Sequence, residues 1–298
     1  MMDPDVVYLV DGSSYVYRAY HAIKNLSNSQ GLPTNAIFGF SRMTLKLLED
    51  KNPRFMAVVL DAKGPTFRHE IFKDYKANRP PMPEDLQVQL PYIKKILEGL
   101  NLKCVERKGY EADDVIATLA REGEEKGYGV VIISGDKDFR QILSPAVSLW
   151  DTMKDSLLDY DTFQKEYGLR PDQIIDVMGL SGDVSDNIPG VRGVGEKTAI
   201  NLVKQFGCLE EVLRRSDEIK RERLRGTLKE DRDLALLSKK LVLIDKFVPI
   251  DVKIEDLRVG IPDSRKLATI FGDLEFRDLQ ERFSLRDEVT GKNYRPVL

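Results

Sequence analysis

Cysteine and histidine are scarce in this chain, with two of each in 298 residues. Cys104 and Cys208 make no disulfide framework and suit a reducing, cytoplasmic setting. With only His21 and His69 available, a histidine-built zinc site and a Ser-His-Asp hydrolase both drop out. No apolar run approaches the ~18 residues of a membrane span. The start, Met1-Met2-Asp3-Pro4-Asp5, puts no basic segment before an apolar one, so no signal peptide is expected. What the chain has in quantity is charge: 32% of residues are charged beside 42% hydrophobic, enough apolar material for a sizeable core under a charged surface. The chemistry therefore falls to carboxylates.

The acids are not scattered evenly. Val6-Val7-Tyr8-Leu9-Val10 reads as a strand buried on both faces and runs into Asp11. Residues 55–60 form a second such run and end at Asp61. Residues 130–134 form another, followed by Gly135-Asp136-Lys137-Asp138. Open α/β sheets bind ligands beyond the carboxyl ends of their strands, so acids at these places carry meaning. Glu111-Ala112-Asp113-Asp114 puts three carboxylates in the first turn of a helix whose apolar stripe is Val115, Ile116, Leu119 and Ala120. A helix N-terminus favours acids by roughly 0.3–1 kcal/mol each, but three together also repel and need a counter-charge. Asp183 and Asp186, spaced as on a helix end, add a further pair. The expectation is one carboxylate basin holding divalent cations. Setting these nine acids aside from a formal net charge of −3 leaves the remainder positive by six, so the whole-chain charge does not exclude nucleic acid.

Helices are expected over residues 15–24, 35–50 and 84–100, and a short strand over 102–105. Alternating strands and helices predict a mostly parallel α/β sheet up to about residue 160. Helices predominate after it (163–167, 171–178, 197–205, 209–214, 231–243 and 264–271), giving a second subdomain over 161–283 and a polar, fraying tail over 284–298. Between the second strand and the 84–100 helix, residues 63–83 interleave Lys63, Arg68, Lys73, Lys76 and Arg79 with Phe67, Phe72 and Tyr75. A solvated helix face explains such a run, and so does single-stranded nucleic acid, whose bases stack on aromatics while phosphates pair with cations.

Residues 190–198, Gly-Val-Arg-Gly-Val-Gly-Glu-Lys-Thr, imitate two nucleotide motifs and satisfy neither. Glu196 separates glycine from Lys197-Thr198, no strand precedes the segment, and Gly193-x-Gly195 lacks the third glycine of a dinucleotide fingerprint. What remains is helix, glycine hairpin, helix. Such a hairpin admits a close backbone and offers free amides to phosphate, gripping a duplex without reading bases. The seven cations from Arg214 to Lys229 read best as a solvated face.

Taken together, residues 9–14, Phe67-Arg68, Tyr75 to Pro83, Glu111 to Asp114, Gly135 to Asp138 and Gly182 to Ala199 resemble the 5′-nuclease, or flap endonuclease, family, and do so in family order across nearly the whole chain. The resemblance implies a PIN-like α/β core over residues 1–160 with a helical arch at about 63–83, and a helix-three-turn-helix element in the second subdomain. It directs Asp11, Asp61, Glu111, Asp113 and Asp114 toward one Mg²⁺ and Asp136, Asp138, Asp183 and Asp186 toward a second, with Mn²⁺ as a substitute. It makes Lys76 and Arg79 arch cations for the scissile phosphate, Arg18 a phosphate contact and Tyr75 a stacking residue. Gly190, Val191, Gly193, Val194, Gly195, Lys197 and Thr198 become the duplex-binding hairpin, with a K⁺ ion beside it. The implied function is metal-dependent hydrolysis near 5′ ends and flap junctions of DNA, or of RNA–DNA primer junctions, by a monomer working with a DNA polymerase in cis or in trans. Two rivals stand against it. A haloacid dehalogenase-type phosphatase needs a second aspartate two residues after the first, where this chain has Ser13. A non-catalytic DNA-binding module would gain affinity by losing acids near phosphate.

Overall fold

Each apolar run predicted as a strand is one, and each is followed by the acid that marked it. The computed structural model describes residues 5–290, the last six as backbone alone. In chain order the elements are β1 (Val6–Asp11), α1 (Gly12–Ala22), α2 (Asn35–Lys51), β2 (Phe55–Val59), α3 (Phe67–Ile71), α4 (Glu84–Gln87), α5 (Leu90–Gly99) and β3 (Lys103–Val105). Then come α6 (Ala112–Glu125), β4 (Gly129–Ile133), a 3-10 segment Lys137–Ile142, β5 (Val147–Asp151), β6 (Ser156–Leu158) and α7 (Tyr160–Tyr167). The helices α8 (Ile174–Ser181), α9 (Glu196–Phe206), α10 (Leu209–Arg214), α11 (Glu222–Glu230), α12 (Arg232–Val242), α13 (Ser264–Asp273) and α14 (Arg277–Thr290) complete the described chain. Among the described residues no helix is long and apolar enough to cross a membrane.

By its contacts the chain forms two units that interleave in sequence: residues 1–60, 82–106 and 251–298 make one, residues 61–81 and 107–250 the other. In the first unit β3, β2 and β1 lie side by side and parallel, with Val7 opposite Phe55 and Val58 opposite Cys104. All five residues of β2 are buried, which is why its sequence shows no alternation. Gly12 opens α1 directly after Asp11. A Cβ there would stand 2.5 Å from Val58 Cγ1 and 2.8 Å from the Val59 carbonyl oxygen, so only glycine lets the helix start this close to β2. Phe271 and Phe283, from α13 and α14, fill the core of this unit with Phe40.

The helix expected over residues 84–100 is two helices. Gln89, fully buried at the break, serves another element: its Oε1 accepts from the Ala36 and Ile37 amides (2.8 and 3.1 Å), and its Nε2 donates to Asn35 Oδ1 and the Asp85 carbonyl. It thereby satisfies first-turn amides of α2 that the residue at its N-cap, Thr34, leaves without a side-chain bond. Pro91 then restarts the chain as α5. Of the tail expected from residue 284, the part up to Thr290 continues α14 and residues 291–298 lie outside the described residues.

In the second unit β4 pairs parallel with β5, and β5 pairs antiparallel with β6, a strand absent from the sequence reading. Helix α6 packs on β4, and α8 packs on α9 and α12. The charged stretch after Arg214 contains a helix of its own, α11, half of it solvated as its composition demands.

Candidate active site

Helix α6 carries the first group of acids, and its N-terminal turn gives each a different fate. Asp114 is fully buried and fully hydrogen-bonded. Its Oδ1 accepts from Arg68 Nη2 (2.7 Å) and the Asp245 amide (2.8 Å), and its Oδ2 from Arg68 Nη1 (2.7 Å) and the Glu111 amide (3.1 Å). Four donors fill the acceptor sites of one carboxylate, so Asp114 is a structural anchor and not the metal ligand that the resemblance implied. Arg68, 2% exposed, also donates to the Leu241 and Leu243 carbonyls. Burial alone would push its guanidinium down, but Asp114 and Glu111 hold it above its ordinary range. Asp61 accepts from the Ala112 amide (2.8 Å), tying it to the same turn, while Asp113 stands half-buried one residue on.

Glu111 and Asp186 face a turn of the chain and not open solvent. Lys76 Nζ lies 2.7 Å from Glu111 Oε1 and 3.5 Å from Asp186 Oδ2, and Arg79 pairs with Asp186 Oδ1. The Tyr75 hydroxyl stands 3.1 Å from Glu111 Oε2 and 3.2 Å from Asp186 Oδ2. Burial and the Glu111 charge push this phenol far above its usual range, so it remains a donor. The expected helical arch is thus only the five-residue α3 followed by turns, because Lys76 takes a φ of +56° and prolines 80, 81 and 83 forbid a helix beyond. Tyr75, expected as a stacking platform, is 3% exposed; it holds two carboxylates together instead.

The second group follows β4. Asp136 caps the 3-10 segment by accepting from the Asp138 amide (2.9 Å). Asp138 is pushed up to about 7, first by burial and then by the charges of Asp136 and Asp183. Its Oδ1 is buried with no hydrogen-bond partner. Asp183 is held by Lys137 Nζ at 3.0 Å and by the Ser185 amide at 2.7 Å, which together outweigh its desolvation and keep its carboxyl low. Asp183 and Asp186 do not ride a helix end, as their spacing suggested: α8 stops at Ser181, and both lie in a turn closed by the Asp183–Ile188 bridge.

Among the described residues no three acids form a ready metal cage. The positive charge they require comes from Lys76, Arg79, Arg68 and Lys137. The donor set still fits a hard cation, since an orphaned carboxylate oxygen at Asp138 and mutual repulsion with Asp136 and Asp183 are what a divalent ion relieves. Asp11 and Arg18 belong to the first unit. Asp11 is 5% exposed and caps α1 through the Ser14 amide (2.9 Å), and the Arg18 guanidinium lies over the Tyr15 ring.

The hairpin is a turn between α8 and α9. Gly190 has φ +60°, and a Cβ there would stand 2.3 Å from the Gly182 nitrogen. Gly190→Ala is therefore expected to destabilise the protein by about 2 kcal/mol or more, read from urea unfolding; an unchanged midpoint would refute the close approach. Val191 and Val194, expected to touch DNA, are 2% and 4% exposed and anchor the hairpin inward. Gly193 and Gly195 face open space, with no atom within 4 Å of where a Cβ would stand, and Lys197 is exposed beside them with Thr198 half-buried. Arg192, a strut that the sequence did not announce, pairs with Asp231 (2.9 Å) and Glu230 (2.7 Å). Lys137 was equally missed as a counter-charge, though a lysine between two aspartates is itself a signal.

Two family models together cover residues 6–265. The 5′-3′ exonuclease N-terminal resolvase-like domain matches residues 6–168, and the 5′-3′ exonuclease C-terminal SAM fold matches residues 169–265. The chain is 43% identical to DNA polymerase I of Bacillus caldotenax over 279 residues, 92% of this chain but 32% of that protein. It thus spans about a third of the length of the polymerases it matches. It is 42% identical to the 5′-3′ exonuclease of Aquifex aeolicus over 92% of this chain and 93% of that protein. In fold it resembles T5 5′-exonuclease with bound zinc (TM-score 0.68, 20% identity, 93% of this chain and 98% of that one). It also resembles the catalytic core of Rad2 with DNA (TM-score 0.67, 16% identity, 96% and 93%).

Proposed function

Since the chain belongs to the 5′-3′ exonuclease family, we propose that its acids bind Mg²⁺ and that it hydrolyses phosphodiester bonds at 5′ ends and flap junctions of DNA, leaving 5′-phosphates. The observation that carries this reading is the acid group on the second unit, where Asp138 keeps a buried oxygen without a partner beside Asp136 and Asp183. Divalent ions, when bound, activate water at neutral pH and stabilise the leaving oxygen. The residues proposed to hold them are Asp136, Asp138, Asp183 and Asp186 on one side and Glu111, Asp113 and Asp61 on the other. Mn²⁺ substitutes for Mg²⁺.

The chain's own groups do the rest. Lys76 and Arg79 supply positive charge to the phosphoryl oxygens as charge develops there. Gly193 and Gly195, open to solvent, admit a duplex backbone, with Lys197 pairing to phosphate and no base being read, and the hairpin would also hold a K⁺ ion. Arg18 contacts a phosphate from α1. A monomer acting in the bacterial cytoplasm, beside or fused to a DNA polymerase, and accepting RNA–DNA primer junctions as well as DNA flaps, completes the proposal.

The test is cleavage of a duplex with a labelled 5′ flap. Cuts near the junction are expected with Mg²⁺ and none with EDTA, while a closed DNA hairpin without a 5′ end stays intact. Flap bound but uncut under every metal condition would favour a binding module and sink the catalytic reading.

A further inference from the structure

The turn at residues 74–79 is docked on the acids more thoroughly than two ion pairs require. The Lys76 amide donates to the Asp186 carbonyl (2.9 Å), Asn78 Nδ2 to the Val184 carbonyl (2.6 Å), and Asn187 Nδ2 back to the Asp74 carbonyl (2.6 Å). Lys76 and Asn187 both hold positive φ, +56° in each case, which side chains keep only where surrounding contacts impose it. Two short turns, 74–79 and 183–187, thus clasp each other through backbone and side chain. The clasp delivers Lys76 and Arg79 onto Glu111 and Asp186, two of the carboxylates assigned to metal.

A carboxylate oxygen that accepts from an ammonium at 2.7 Å cannot offer the same lone pairs to a cation, and the two positive charges repel. We propose that the 74–79 turn is an internal latch whose cations exchange with divalent metal: Lys76 and Arg79 hold Glu111 and Asp186 until metal takes those carboxylates, and the turn then lets go. The inference rests on the metal reading above. It adds that metal binding and release of the turn are one linked equilibrium, so whatever loosens the clasp tightens the metal by the same factor. It also makes the two cations available to phosphate only once the metal is in place, which orders the assembly of the site.

The experiment is calorimetric titration of Mn²⁺ into the full chain without DNA, beside three variants. Asn78→Ala removes one clasp bond and no charge, and Mn²⁺ binding is expected to tighten about threefold. Lys76→Met with Arg79→Met removes the competitors, and binding is expected to tighten by about tenfold or more. Lys73→Met removes an exposed cation of the same segment and is expected to bind as the parent does. In the parent chain, Mn²⁺ is also expected to raise hydrogen exchange at the Lys76 amide, since its acceptor moves away. Equal or weaker Mn²⁺ binding by Asn78→Ala and by the double variant overturns the latch while leaving the metal reading intact. An effect of Lys73→Met as large as that of the double variant assigns the change to net charge and also overturns it. No Mn²⁺ binding by any chain removes the metal reading and the latch together.

Discussion

Asp138→Asn is expected to lower Mg²⁺-dependent flap cleavage by on the order of a thousandfold, about 4 kcal/mol of lost transition-state stabilisation, while the same substitution raises the melting temperature of the metal-free protein. The two effects have one origin. Asp138 is pushed up to about 7 by burial and by Asp136 and Asp183, and one of its oxygens is buried without a partner. An ionised carboxylate so placed destabilises the fold unless a cation answers it; an amide removes the repulsion and with it the ligand. Flap affinity in Ca²⁺ is expected to survive, since the hairpin and Lys197 are untouched. Melting curves with and without metal separate the explanations: the parent gains from Mg²⁺ and the variant gains little. Near-normal turnover in Asp138→Asn would remove this carboxylate from the site.

Arg68→Met is expected to lower unfolding stability by about 3–5 kcal/mol, the range for stripping one partner from a buried ion pair. The guanidinium is 2% exposed and answers a carboxylate that is fully buried, while also satisfying the carbonyls of Leu241 and Leu243. Its loss strands the Asp114 charge together with both carbonyls. Asp114→Asn combined with Arg68→Met is expected to recover part of that loss, because a neutral amide is less costly to bury than an unpaired carboxylate. Asp114→Asn alone should lower stability yet leave cleavage per folded molecule within about tenfold of the parent, as fits an anchor. If Arg68→Met unfolds within about 1 kcal/mol of the parent, the clamp has no structural weight.

The buried strands were legible because burial on both faces writes continuous apolar runs, while the exposed β6 left no such run. The hairpin was legible through glycines of which Gly190 meets backbone too close for any side chain. What the sequence hid were the partners of the charges. Arg68 meets Asp114 across 46 residues and Lys76 meets Glu111 across 35, and nothing in local periodicity encodes such pairs. Asp114 therefore read as one more ligand, though its donors had already filled it. Tyr75 read as a stacking ring because aromatics among cations suggest bases, while its hydroxyl had found two carboxylates. The single helix expected over 84–100 failed for the same reason, since the break at Gln89 answers a need in α2. Val191 and Val194 fell into the DNA-binding motif by position alone, and the core claimed them.

Gln89 has a consequence in time as well as in space. Its side chain reaches the Ala36 and Ile37 amides across 53 and 52 residues, so the first turn of α2 stays uncapped until the chain between them has closed a long loop. The bonds that finish the start of α2 thus form only once Gln89 has been brought to it. A first turn that looks local in the folded protein therefore depends on a partner far along the chain.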